Sequence, residues 1–363
     1  MKTLVYQPLL DMIEAKIEQG QLDPGDQVGT EMHLVNTLGI SRDSVRRGVD
    51  KLVQKGLIER RPGKGLFVKQ ATSLRSIQII VPNMLQEQSA LIARGAKLAG
   101  DKLGAKVHTI DACGSLQQSI QAIRQLPQSK THGALISLYQ DTRFIEAVFE
   151  LKLSGYPFVL MDQMTDKIDV PMVSADNYKG GYEAGQYLIE KGHTNIGYIG
   201  DLKADTIRRR MEGMRDAILD AGLPFDRTKV MQLPINDLLG DWSQAIQICI
   251  KQLINREDKP SAIFCHNDEV VAYACHFLKK QGYNIPHDIS VMGFDGNSLG
   301  QWLDPPLTTV QQPSEQIGRV AMSMLMDLLD NKTNTNNRKF KQLLPTTLIK
   351  RESVTLNQCK VMA

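Results

Sequence analysis

Over the first seventy residues the apolar positions follow a helical period. Leu9, Leu10, Ile13 and Ile17 recur three or four residues apart, as the buried face of one helix requires, and Gly20 stops that helix. Pro24-Gly25 makes a turn. Thr30 then stands where it can N-cap a second helix carrying Met32, Leu34, Val35 and Leu38, which Gly39 closes. Ser41 caps a third, RDSVRRGVDKLVQKG, whose apolar stripe is Val45, Val49, Leu52 and Val53 and whose end is Gly56. After that, residues 57–61, a Pro62-Gly63-Lys64-Gly65 turn and residues 66–68 form a hairpin pattern. Three short helices with a tight turn before the third, followed by a basic hairpin, predict a winged helix-turn-helix over 1–69, with 70–75 as a linker.

From residue 76 the texture changes. Short strand-like runs at 77–81, 106–110, 134–137, 158–161, 172–174, 195–199, 262–265, 289–292 and 307–310 alternate with amphipathic stretches such as 179–191, 208–221, 268–281 and 314–329. This alternation predicts an α/β domain of parallel, doubly wound sheets, because a parallel strand is reached by a helical crossover. Residues 76–354 are too many for one such sheet, so two lobes with a cleft between them are expected, followed by a short tail at 355–363. Ligands in folds of this kind sit outside the carboxyl ends of the strands.

Composition changes this picture little. At 363 residues, 42% hydrophobic and 23% charged, the chain is that of a multidomain globular protein. No apolar run approaches the ~20 residues a membrane helix needs. Asp11, Glu14 and Glu18 interrupt the apolar start in a way a signal peptide would not, so a cytoplasmic location is expected. The five cysteines (Cys113, Cys249, Cys265, Cys275 and Cys359) are scattered, with no CxxC pair, which argues against a disulfide framework and against a zinc site. No metal or cofactor is expected.

Charge matters once it is localised. Residues 42–69 carry nine Lys or Arg against three Asp or Glu, while the whole chain is only +3. On a helix-turn-helix the leading end of the third helix enters the major groove, and Arg42 and Arg46 lie there, one helical step apart. An arginine fork can hold guanine O6 and N7 together, or grip a phosphate. Ser41 and Ser44 are suited to phosphates beside the positive helix end, and Lys64 at the hairpin tip to the backbone or minor groove.

The strings G-x-L-x-P-G-D (20–26), T-E (30–31), L-G-I-S-R (38–42), V-R-R (45–47) and G-L-I…G-K-G-L-F-V (56–68) resemble the DNA-binding domain of the GntR family. The resemblance implies that the arginines of the S-R-x-S-V-R motif, here Arg42 and Arg46, contact DNA. The expected DNA-facing set is Thr30, Glu31, Ser41, Arg42, Ser44, Arg46, Arg47, Lys64 and Gly65. Many members have a polar or basic residue after the T-E pair; here it is Met32, and no base contact is expected from it.

In the second part, the residues that follow strands are suited to a polyol: Asp162, Asp176, Arg210 (expected to open a helix), Asn267, Asp268 and Asp295. Carboxylates, amides and an arginine fork pair with adjacent hydroxyls, and an aromatic face covers the C–H side of a sugar. Taken singly, each is as well read as a turn or cap residue. Together the strings at 173–200, 210–213 (R-M-E-G), 262–268 (A-I-F-C-H-N-D) and 293–313 (G-F-D…P-P-L-T-T-V-Q-Q-P) resemble the LacI/GalR regulators, whose effector domain is a two-lobed, periplasmic-binding-protein-like fold. The resemblance implies an effector pocket containing Asp176, Arg210, Asn267 and Asp295, with Trp242 as its aromatic wall. Where the family often has a second acidic residue after Asp295, this chain has Gly296.

A GntR-type head on a LacI-type body looks like the bacterial arabinose-operon repressor group. It implies a homodimer on a palindromic double-stranded operator, governed by a small carbohydrate, with no hinge helix in 70–75. Two other readings compete. Gly296-Asn297-Ser298-Leu299-Gly300 fits the G-x-S-x-G nucleophile elbow of hydrolases, but that chemistry needs a histidine after the serine, and the last of the seven histidines is His287. A sugar-binding protein with no transcriptional role would share the two lobes but would have no use for the basic head. No P-loop, HExxH or complete GxGxxG is present.

Overall fold

The computed structural model describes residues 5–18, 21–23, 25–69, 75–137, 139, 141–233, 242–330 and 341–357. The expected stop at Gly20, Pro24 of the first turn, positions 70–74 of the linker, Cys359 and the end of the tail lie outside them. The chain divides into two compact units, Met1–Arg75 and Ser76–Ala363.

The first unit contains α1 (Gln7–Glu18), β1 (Gln27–Gly29), α2 (Glu31–Leu38), α3 (Arg42–Gln54), β2 (Ile58–Arg61) and β3 (Gly65–Val68). Leu9, Leu10, Ile13, Leu34, Val45, Val49, Leu52, Ile58 and Leu66 form its core, so the periodic stripes do face one another. Thr30 Oγ1 accepts from His33 N at 3.2 Å and Ser41 Oγ from Ser44 N at 3.2 Å, each satisfying one orphan N–H of a helix start. Gly39 ends α2 at φ +65°, where a side chain would be strained. The hairpin is one strand larger than expected. Gln27–Gly29 adds to β3, giving the antiparallel order β1-β3-β2. Three residues without alternation leave too little pattern to read as a strand.

The second unit runs β4 (Ser76–Val81), α4 (Glu87–Lys102), β5 (Lys106–Asp111), α5 (Leu116–Gln125), β6 (Gly133–Ser137), α6 (Thr142–Leu153), β7 (Phe158–Asp162) and β8 (Met172–Ala175). It continues through α7 (Asn177–Glu190), β9 (Ile196–Gly200), α8 (Asp205–Asp220), β10 (Val230–Gln232), α9 (Ser243–Ile254), β11 (Ala262–Cys265) and α10 (Asp268–Lys280). Its last elements are β12 (Ser290–Asp295), β13 (Thr308–Gln311), α11 (Ser314–Leu329), β14 (Lys341–Leu344) and β15 (Thr347–Ile349). Two six-stranded sheets result, β5-β4-β6-β7-β8-β14 and β10-β9-β11-β12-β13-β15. All pairings are parallel except β13 with β15. Within each sheet the first five strands follow the same doubly wound order, second-first-third-fourth-fifth, so each lobe has a switch point beside its first strand.

The lobes exchange chain. α7 follows a strand of the first lobe yet packs in the core of the second, with Ala184 and Leu188 against Tyr198 and Phe264. α11 follows β13 of the second lobe and returns to the first, where Ile317, Ala321 and Met322 lie against Ile79 and Leu135. β14 belongs to the first sheet and β15 to the second. The backbone therefore crosses near 176, 312 and 345.

Two helix pairs approach closely enough to require glycine. A Cβ on Gly95 of α4 would stand 2.0 Å from the Glu315 carbonyl, and one on Gly318 of α11 2.0 Å from that of Ile92. Between α7 and α8, a Cβ on Gly181 would stand 2.0 Å from the Arg210 carbonyl and one on Gly213 2.1 Å from that of Tyr178. Gly213→Ala must push α8, and Arg210 with it, off α7. It is expected to cost the effector unit about 1–3 kcal/mol through overpacking, read as a lower urea midpoint at unchanged m-value.

Candidate functional site

In the head, the basic side chains fall into two groups. Arg60 is held by Asp50 at 2.7 Å and Glu31 at 3.3 Å, Lys55 by Glu14 at 2.5 Å, and Arg61 by Glu59 at 2.8 Å while lying 4.3 Å over the Phe67 ring. Arg42, Arg46, Arg47 and Lys64 are exposed and make no ion pair among the described residues. Three of these stand on the first turns of α3, where unsatisfied N–H groups add positive potential. Lys64 sits at the hairpin tip, held by a bond from Gln27 Nε2 to its carbonyl at 2.8 Å. Gly65 beside it has φ +105°, and a Cβ there would lie 2.8 Å from the Gly29 carbonyl. Thr30 and Ser41 are occupied as caps, and Glu31 faces Arg60.

In the effector unit a cleft of about 1670 Å³ opens between the lobes. Asp162, Arg210, Trp242, Asn267, Asp268 and Asp295 all line it, brought from β7, α8, the start of α9, α10 and β12. Arg210 is the best-determined group. Its Nε donates to Asn177 Oδ1 at 2.8 Å and its Nη1 to the His266 carbonyl and to Asp295 Oδ1, the latter at 3.2 Å. The guanidinium also lies 3.7 Å over the Phe294 ring. Arg210 does not open its helix, as the sequence reading expected, but is the sixth residue of α8, only 6% exposed. The helix begins at Asp205, one turn before the apolar pattern becomes legible.

Asp162 and Asp295 end β7 and β12, one from each lobe, and both carry positive φ, +75° and +103°. Such backbone is costly for a residue with a side chain and is typically kept at functional positions. Asp295 Oδ1 accepts from Gln312 Nε2 at 2.7 Å as well as from Arg210. Burial pushes Asp295 above the usual carboxylate range, against the pull of Arg210. Burial, then the charge of Asp295, pushes Asp162 up to about 6. Burial, with Arg210 beside it, pushes the His266 imidazole down to about 3, so that ring is neutral.

Two expectations shift. Asp176 does not line the cleft: it caps α7, accepting from Lys179 N at 3.0 Å, and its neighbour Asn177 reaches Arg210 instead. Asp268 lines the cleft, but both its oxygens are committed, Oδ1 to Thr309 Oγ1 at 2.6 Å and Oδ2 to Asn297 N at 2.7 Å. It braces the loop after β12 against β13. Asn267 caps α10 through Oδ1, accepting from Val270 N at 2.9 Å.

Comparison with known proteins agrees with this geometry. Residues 5–68 match the gntR family of bacterial regulatory proteins, and 186–354 the periplasmic binding protein-like domain. The HTH-type transcriptional repressor CytR of Escherichia coli K12 is 31% identical over 72% of this chain and 75% of its own length. The chain belongs to the LacI/GalR-type repressors and carries a GntR-type head. Among solved structures, the CelR–cellobiose complex has a TM-score of 0.67 at 25% identity, over 86% of this chain and 91% of that one. A LacI family regulator from Enterococcus faecium with bound ribose has a TM-score of 0.65 at 23% identity, over 78% and 100%. The chain is thus a DNA-binding transcription regulator, and its relatives are repressors, not enzymes. Among the described residues no helix is long and apolar enough to cross a membrane.

Within this LacI/GalR-type regulator the G-x-S-x-G string has a structural use. Ser298 N and Oγ donate to the Glu87 carboxylate of the first lobe at 2.9 and 3.1 Å. Gln88 Nε2 donates to the Asp295 carbonyl at 3.0 Å and to Asn297 Oδ1 at 2.9 Å. The loop is a clasp between lobes. Gly296 in place of an acid also has a reason: φ is +72°, and a Cβ would meet that of Gln311 at 2.6 Å. Residues missed from sequence (Asn177, Gln312, Phe294, Glu87 and Gln88) act through partners 33 to 209 positions away, and no local pattern marks them.

Burial and the Asp295 charge push Asp268 up to about 7, against its bonds from Thr309 and Asn297. A carboxyl whose pKa is raised by folding stabilises the fold fully below its unfolded value near 3.8, and that contribution is lost as pH rises toward about 7. Asp268→Asn keeps an acceptor for Asn297 N and lets the Thr309 hydroxyl turn to accept. Its urea-unfolding free energy should therefore fall less steeply over that pH interval than that of the natural chain.

Proposed function

We propose that this chain is a cytoplasmic repressor that binds a palindromic operator as a homodimer and is governed by a small sugar held between the lobes. Arg42, Arg46 and Arg47 read bases and phosphates from α3. Ser44, near the start of α3, donates to phosphate, and Lys64 with Gly65 carries the wing onto the backbone. Arg210, Asp295, Asp162, Asn267 and Trp242 hold the sugar, and Asp268 braces the loop that carries Asp295. The observation that carries the reading is the pairing, in one repressor-type chain, of unpartnered arginines on a recognition helix with a carboxylate-and-guanidinium cleft. The cellobiose bound by CelR supports a carbohydrate in that cleft. A homodimer along the effector unit is supported by apolar side chains left bare on two elements of the cleft rim, Leu85 at 91%, Leu299 at 72% and Trp302 at 79% exposure. Sugar binding favours one state of lobe closure, which changes the spacing of the two heads and so operator affinity.

Fluorescence anisotropy on palindromic duplexes from the gene's own neighbourhood tests the head. Arg42→Ala is expected to weaken operator binding roughly 5- to 150-fold, the equivalent of about 1–3 kcal/mol for a lost bidentate contact, with sugar binding intact. Asp295→Ala is expected to keep DNA binding and lose the response to sugar, read as a thermal shift across a panel that includes cellobiose and D-ribose. No preference for any palindrome, even at low ionic strength, would overturn the operator assignment. A normal response from Asp295→Ala would overturn the pocket.

A further inference from the structure

The charge around the cleft narrows the class of effector, on the footing that the cleft is the sugar site proposed above. Among the described residues, two guanidinium groups and no lysine line it, against seven carboxylates. Both guanidinium groups already face a carboxylate. Arg210 is paired with Asp295, and Arg143 Nε and Nη2 each donate to Asp141 at 3.1 Å. His266, the one imidazole on the wall, is neutral. In sequence, the neighbouring positions 138, 140 and 234–241 contain no Lys or Arg. An anionic ligand would find no unpaired cation here, and low-dielectric walls lined by one sign of charge focus that field.

Asp162 sharpens the point. Its backbone carbonyl accepts from Ser174 Oγ, but its carboxylate takes no hydrogen bond from any described residue. It faces Asp295 of the opposite lobe closely enough for the two charges to repel. A carboxylate accepts only, so the partner it lacks must be a donor. We infer that the effector is an uncharged polyol, with no phosphate or carboxylate, whose hydroxyls donate to Asp162 of one lobe and Asp295 of the other. By bridging the two acids the ligand screens a repulsion that opposes closure of the empty cleft, which couples its binding to lobe geometry.

The test uses the full chain and matched probes: D-ribose with D-ribose 5-phosphate, D-glucose with D-glucuronate, and cellobiose with cellobionate, by thermal shift and calorimetry at pH 7.5. Any sugar that binds is expected to do so at least ~10-fold more tightly than its anionic counterpart. Asp162→Asn is expected to narrow that ratio, and, measured without ligand, to melt at the same or a higher temperature, because it removes a buried charge that has no partner. An anionic probe that binds as tightly as its neutral counterpart overturns the inference and leaves the sugar site standing. A clear fall in the melting temperature of ligand-free Asp162→Asn overturns the unpartnered carboxylate itself. A wild type that none of the sugars shifts overturns the sugar reading, and this assignment with it.

Discussion

A guanidinium withdrawn from water is tolerated only where hydrogen bonds and a counter-charge replace the solvent, and Arg210 meets that condition with groups from four places in the chain. Asn177 comes from the start of α7, the His266 carbonyl from the end of β11, Asp295 from the end of β12, and the Phe294 ring from the same strand. Every one of these lies next to a chain crossing or at the carboxyl edge of the second sheet. The cation thereby fixes the positions of the elements that make up the cleft wall. Breaking any one contact leaves a buried charge short of a partner, which is far costlier than losing the pair altogether.

The packing beneath Arg210 is what brings it there. α7 and α8 can touch at backbone distance because Gly181 and Gly213 have no side chains, and Gly181 lies against the Arg210 carbonyl. The same device, Gly95 against Gly318, joins α4 to α11 in the first lobe. Each lobe thus has one tight helix pair. The loop after β12 then ties the lobes through Glu87 and Gln88, while Asp162 and Asp295 push them apart. A cleft held between an attractive clasp and a like-charge repulsion can be shifted by a ligand that acts on only one of the two.

The head follows the opposite logic. Its helices are fixed by an apolar core and by caps, and several of its cations are neutralised within the unit, Arg60 by two acids at once. What remains uncompensated is concentrated on the leading turns of α3 and at the wing tip. Total charge would not distinguish these residues from a solvated surface. Their lack of partners does.

The order of elements was legible from hydrophobic period alone, because a helix must bury one stripe and a parallel strand both faces. The caps Thr30 and Ser41, the stop at Gly39 and the alternation after residue 76 are all local chemistry. So is the presence of acids and amides after strand ends. Local pattern misses β1, the true start of α8, and the distinction among the acids: Asp176 serves as a cap, Asp268 as a brace, and Asp162 faces the cleft without a partner. Those assignments depend on which side chain meets which across tens to hundreds of residues. The sequence by itself determined the two units, the doubly wound lobes and the chemical kind of site, because these follow from short-range spacing and residue type. Only the tertiary structure decided which charges are spent and which are free, because a charge is neutralised by whatever group folding brings within a few ångström of it.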